Sequence, residues 1–110
     1  MTEKCEKYLS DILMAIDLIE EFLLEMDFTS YEKDRKTQSA VERQFSIIGE
    51  ALNQFKKIEN SISIENDKQI VAFRNRLVHA YDSLDNSIIW AIVHRNIKPL
   101  KAEIENLLKK

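Results

Sequence analysis

Residues 41–58 read VERQFSIIGEALNQFKKI. Val41, Phe45, Ile48, Leu52, Phe55 and Ile58 recur at steps of three and four, so all six share one face of an α-helix. Polar and charged side chains fill the opposite face, and the pattern predicts a long amphipathic helix from about Asp34 to Glu59. Gly49 sits in its middle. A glycine there costs about 1 kcal/mol relative to alanine, so its presence points to close approach by another helix.

The same periodicity extends to both sides. Residues 4–26 hold Cys5, Leu9, Ile12, Ile16, Ile19, Leu23 and Met26, a stripe about six turns long with acidic residues opposite. Cys5 lies on that stripe and reads as core. In TSYE (29–32), Thr29 can cap and Glu32 can reach back, the pattern of a capping box opening a short helix. ENSISIEND (59–67) is a polar loop from which Ile62 and Ile64 can tuck inward. Asp67 can then cap a third helix bearing Ile70, Phe73 and Leu77. YDSLDNS (81–87) breaks the pattern, and Asp85 can cap a fourth helix with Ile88, Ile89, Ile92, Val93 and Ile97. Pro99 lacks an N–H and disfavours helix at Lys98, so a kink falls there before Leu100, Ile104, Leu107 and Leu108 resume the apolar face. The prediction is one all-α domain over residues 1–110. It is an antiparallel four-helix bundle with an extra short helix and a kinked C-terminal helix.

Composition narrows the function. The chain has 110 residues, 45% of them apolar, with a single Gly and a single Pro, which suits helices joined by short connections. A lone cysteine, Cys5, excludes an internal disulfide and Cys-rich zinc sites. No apolar run approaches the roughly 18–20 residues that cross a bilayer. The N-terminal MTEKCEKYLSD is too charged for a secretory leader, so a cytoplasmic protein without membrane partners is expected.

The formal charge of −3 is unevenly spread. Residues 1–67 carry 15 acidic and 8 basic side chains. Residues 68–101 carry Lys68, Arg74, Arg76, Arg95, Lys98 and Lys101 against only Asp82 and Asp85. An acidic body with one basic segment can hold a local anion without binding nucleic acid over its whole surface.

Inside that basic segment lies FRNRLVHAY, residues 73–81. Asn75 and His79 are four apart and share a helix face, so the amide can orient the imidazole. Arg74 and His79 are five apart and converge only if the arginine wraps round or the helix ends near His79. Arginine grips phosphate through a planar fork of donors, and histidine can take or give a proton near neutral pH. Together they suit phosphodiester cleavage, in which a 2′-hydroxyl needs a base, the leaving 5′-oxygen an acid, and the charge between them a cation. One chain offers no obvious second acid, but a two-fold dimer would place two arginines and two histidines in one cleft. No carboxylate and histidine spacing suggests a dinuclear metal site, so no metal and no cofactor is expected. The plainer alternative is that His79 caps a helix C-terminus.

RNRLVHAY fits Arg-x-x-x-x-His-x-Tyr with Asn directly after Arg, and so resembles the motif of the HepT-like toxins of the HEPN superfamily. AVERQFSIIGEALNQF resembles that family's second long helix, with its Ile-Gly-Glu-Ala centre, and DNSIIWAIVHRNIKPL the helix after the motif. The three blocks run from about Val41 to Leu100 in the family's order. Family members often carry a Trp shortly before the Arg, and ENDKQIVAF has none. The resemblance implies a homodimeric toxin that cleaves RNA at a cleft lined by Arg74 and His79 of both protomers, with Asn75 in support. It also implies a small nucleotidyltransferase antitoxin that neutralises the toxin by transferring AMP onto Tyr81.

Arg76 and Arg95 are candidate RNA contacts from the basic segment, though Arg95 and His94 also read as a solvated helix face. Glu50 can pair with an arginine of the motif helix or remain a surface carboxylate. Trp90 reads as an interhelix or dimer anchor. Two rival functions remain: a non-catalytic helical module that partners a nucleotidyltransferase, and a purely structural adaptor.

Overall fold

The computed structural model describes residues 1–79 and 85–109, with only the backbone at 78 and 79. Among these the chain is helical without strands: α1 (Glu3–Phe22), α2 (Phe28–Lys33), α3 (Arg35–Ile58), α4 (Lys68–His79), α5 (Asn86–Ile92) and α6 (Lys98–Lys109). A π-helical turn, Val93–Ile97, joins α5 to α6 as one interrupted helix. The irregularity thus falls in the turn before Lys98, which is itself helical (φ −63°, ψ −49°), and not at Lys98 as Pro99 led one to expect. The result is the expected antiparallel bundle of four main helices, with α2 as the extra short one. None of the described helices is long and apolar enough to cross a membrane.

The long helix read from residues 41–58 forms with the predicted limits. The Asp34 carboxylate accepts hydrogen bonds from the Thr37 N–H (3.0 Å) and hydroxyl (2.7 Å), and the Glu59 N–H closes the other end on the Phe55 carbonyl. Asp85 likewise caps α5 through the Ser87 N–H (2.8 Å). These donors hold both carboxyls below their ordinary value, the Thr37 hydroxyl acting most strongly at Asp34 and the Ser87 N–H at Asp85.

Two boundaries depart from expectation. α1 stops at Phe22 rather than running to Met26. Glu25 takes a left-handed conformation (φ 61°), which no continuing helix accepts. Leu23 and Met26 still reach the core from the turn, so the apolar stripe outlasts the helix. The short helix opens at Phe28 under Asp27, whose carboxylate accepts from the Ser30 N–H (2.8 Å), and not at a Thr29 cap. An ionised acceptor at that position outcompetes the threonine hydroxyl two residues later.

The core is a seam of Leu9, Ile12, Ile16 and Ile19 on α1 against Phe45, Ile48, Leu52 and Phe55 on α3. Ile70 and Phe73 bring α4 onto this seam, Phe73 meeting Phe45 edge to face at 5.4 Å. Cys5 is buried, and Ile64 tucks in from the loop while Ile62 packs at its margin. Trp90 holds α5 to α2, with ring centroids 5.8 Å from Phe28 and 5.3 Å from Tyr31, which makes it an interhelix anchor. Tyr31 is buried with no partner for its hydroxyl among the described residues, and burial, with help from the Glu42 charge, pushes that phenol well up.

Polar ties fix the loop before α4. Glu103 of α6 accepts from the N–H groups of Glu65 (2.8 Å) and Asn66 (3.1 Å) and from the Asn66 amide. Asp67, almost wholly buried, takes its counter-charge from Lys56 at 2.6 Å, and its carbonyl opens α4 by accepting the Val71 N–H. Its expected role at the start of the third helix is thus filled by backbone and ion pair together.

Candidate active site

Arg74 lies on α4 where that helix crosses α3. Its aliphatic stem runs over Gly49: a Cβ built there would collide with both Cβ and Cγ of Arg74. The close approach expected at the glycine is therefore made by this arginine, and it explains why residue 49 has no side chain. One residue on, Glu50 meets the guanidinium, its Oε2 2.7 Å from Nη2. The other Glu50 oxygen accepts from the Gln54 amide at 2.9 Å. Nη1 donates to the Asn75 side chain at 3.2 Å, and Nε is buried without a partner among the described residues. The stem is clamped and the fork is aimed, while 22% of the side chain stays exposed to a ligand.

The exposed part of Arg74 faces a trough of about 340 Å³. The floor is the outward face of α3, with Arg43, Ser46, Ile47 and Gln54; Tyr8 and Asp11 of α1 form the far wall. A second shallow groove of about 310 Å³ continues from it past Ser39 and Glu42 to Leu77, near the end of α4, and shares Arg43 and Ser46. Desolvation raises the Glu42 carboxyl above its ordinary value.

The chain matches the family model described as ribonuclease HepT-like over residues 12–107. It is 39% identical to "Probable ribonuclease HepT" of Thermococcus cleftensis over 113 aligned positions, covering 99% of this chain and all of the relative. It is 34% identical to "Putative RNase MJ0127" of Methanocaldococcus jannaschii, covering 93% of this chain and 85% of that protein. The chain belongs to the HepT-like family. A third relative, "Putative RNase TTE0752" of Caldanaerobacter subterraneus, is 29% identical over 94% of this chain and 93% of its own length. No solved structure gives a significant match.

Set against the HepT-like motif, Arg74 and Asn75 are joined to each other and to Glu50. Asn75 spends its carbonyl on Arg74. The His79 backbone ends α4, while its side chain, and with it the expected pairing to Asn75, lies outside the described residues, as does Tyr81. Arg76, two positions from Arg74 and so on the far side of α4, lies with its guanidinium carbon 5.9 Å from the Phe73 ring. Arg95 borders a separate groove with Gln69 and Asn96. Neither joins Arg74 at the trough. His94 hydrogen-bonds through Nδ1 with the Trp90 carbonyl (2.8 Å) and stacks on the Trp90 ring at 4.3 Å, an exposed position away from Arg74.

Three residues escaped the sequence reading: Tyr8, Arg43 and Gln54 all border the trough. A usable signal exists for two of them. Ser39, Arg43, Ser46, Glu50 and Gln54 follow one another at threes and fours on the polar side of α3, a stripe as regular as the apolar one. Among the described residues, no three His, Cys, Asp or Glu side chains gather as a set of metal ligands.

Proposed function

We propose that this chain is the toxin of a HEPN/nucleotidyltransferase toxin–antitoxin pair, a cytoplasmic endoribonuclease that cleaves RNA without a metal ion. The observation that carries the reading is the seating of Arg74: a motif arginine clamped on Gly49, aimed by Glu50 and open on one side. Membership in a family whose relatives are named as ribonucleases supports it.

The active unit is a homodimer whose cleft takes Arg74 and His79 from each protomer. One histidine removes the proton from a 2′-hydroxyl as that oxygen attacks the adjacent phosphorus. The bond from phosphorus to the 5′-oxygen breaks, and the second histidine protonates the leaving oxygen. The products are a 2′,3′-cyclic phosphate and a 5′-hydroxyl, with proton and charge balanced between the two imidazoles. Arg74 binds the phosphate and stabilises the charge that grows on its oxygens. Asn75 supports the arginine through the hydrogen bond already present. The antitoxin silences the toxin by AMP transfer to the Tyr81 hydroxyl, where added bulk and a phosphate anion oppose RNA entry to a cationic cleft.

Expression of the wild type and of His79→Ala and Arg74→Ala without any antitoxin tests this reading. Wild type should arrest growth and fragment RNA, and each variant should abolish both while keeping fold and dimer. Full activity in either variant removes the catalytic assignment. The rival, a non-catalytic module that presents itself to a nucleotidyltransferase, draws support from the fact that Glu50 already satisfies the Arg74 charge. It expects transferase binding and no RNA turnover from the wild type.

A further inference from the structure

We propose that the trough between α1, α3 and α4 holds one unpaired nucleotide of the RNA strand, flanking the phosphate at Arg74. Tyr8 lies against the base and Arg43 on a backbone phosphate. The assignment rests on the ribonuclease reading for its ligand. The two residues to which it gives roles, Tyr8 and Arg43, lie outside the family motif, while the motif's Arg74 borders the same trough.

Four features carry it. The first is place, since a groove of about 340 Å³, room enough for a single nucleotide unit, lies directly against Arg74. The second is charge. The two carboxylates at the trough are already committed: Glu50 to Arg74 and Gln54, and Asp11 to Lys7 at 2.9 Å. Arg43 makes no ion pair among the described residues, so it adds a second cation, besides the part-exposed Arg74, that can meet a phosphate.

The third feature is spacing. Arg43 and Glu50 are seven residues apart on α3, two turns and about 10 Å along the axis. Arg43 thus stands beyond the Arg74–Glu50 pair, on the side of the groove that leads to the end of α4. A strand whose scissile phosphate sits at Arg74 passes Arg43 as it runs on. The fourth is the far wall. Tyr8 is partly buried against the core and lines the trough, with the Lys7 Nζ 6.0 Å from its ring centroid, and supplies an aromatic ring on which any base can stack. Gln54 and Ser46 add polar groups that can meet a base edge, which suits single-stranded rather than duplex RNA.

The two residues make separable contributions. The test is the affinity of the full-length protein for a short single-stranded RNA, 2′-O-methylated throughout so that it cannot be cut, measured across a range of salt. Arg43→Ala should weaken binding roughly tenfold at low salt and reduce the slope of log affinity against log salt by about 0.7, the loss of one single-strand phosphate contact. Tyr8→Ala should also weaken binding roughly tenfold, but with the slope unchanged, and Tyr8→Phe should restore it. Should Tyr8→Ala fold poorly, the Arg43 slope and the Tyr8→Phe affinity decide alone. The proposal is overturned if the wild type does not bind, if Arg43→Ala leaves the slope intact, or if either variant acts by shifting the oligomeric state in sedimentation. Unmodified RNA incubated in parallel separates the two claims. Binding as expected without cleavage refutes the nuclease and keeps the trough; cleavage with wild-type binding in both variants refutes the trough alone.

Discussion

Arg74 owes its place to an atom that Gly49 lacks. A helix interior would ordinarily gain about 1 kcal/mol from Gly→Ala, yet here the added methyl would strike the base of the arginine side chain. Overpacking of this kind costs about 1–3 kcal/mol, because the collision is with Cβ and Cγ rather than with a flexible tip. Gly49→Ala should therefore lose stability despite its better propensity, and RNA cleavage should fall further than the melt alone explains, since α4 must shift under its own arginine. A variant that melts and cuts like wild type would show that the contact is incidental. The need for a neighbour was legible in the chain, because a glycine inside a strong helical stripe asks for one and Glu50, beside it, can pair with an arginine of the motif helix. Which neighbour was not legible. Arg74 and Arg76 look alike in one dimension, and only the phase of α4 against α3 sends one to Glu50 and the other over Phe73.

Among the elements, the limits of α3 and the start of α5 were easy to read, while the end of α1 and the start of α2 were not. Asp34 and Asp85 announce their helices because a carboxylate before a run of good periodicity has few other uses. The end of α1 was hidden, since Leu23 and Met26 keep the apolar rhythm after the backbone has turned away at Glu25. Asp34 also gives α3 a dependence on acid. Its hydrogen bonds to Thr37 lower the carboxyl below the usual 3.8, so in acid the unfolded chain binds the proton more readily than the folded one. The capping contribution is complete above that ordinary value and fades as pH drops through the lower, native one. Asp34→Ala should lower Tm by roughly 5 °C at neutral pH, and the gap to wild type should close below about pH 4. A gap that persists unchanged into acid would place the effect somewhere other than the ionised cap.

For the molecule as a whole, four apolar stripes foretold a bundle, and a bundle of 42 × 29 × 19 Å is what they make. The trough was announced only in part, by the polar stripe on α3. Tyr8 and Arg43 come from the acidic part of the chain, where a count of charges directs attention away, and three helices must meet before they share a surface with Arg74. The dimer cleft proposed for catalysis assembles at a still larger scale. If arginine and histidine supply all of its chemistry, exhaustive treatment with a chelator should leave the cleavage rate of purified protein unchanged. A loss restored by one divalent ion would move the reaction to a metal-assisted route.

The wide turn at Val93–Ile97 carries one residue more than a regular helix needs to cover the same height. That surplus makes the C-terminal helix unequally forgiving of changes in length. A chain one residue shorter there can close up while Leu100 and Ile104 keep their bearing on the bundle. A chain one residue longer has no slack left to take up, and must swing the same two side chains about 100° toward water.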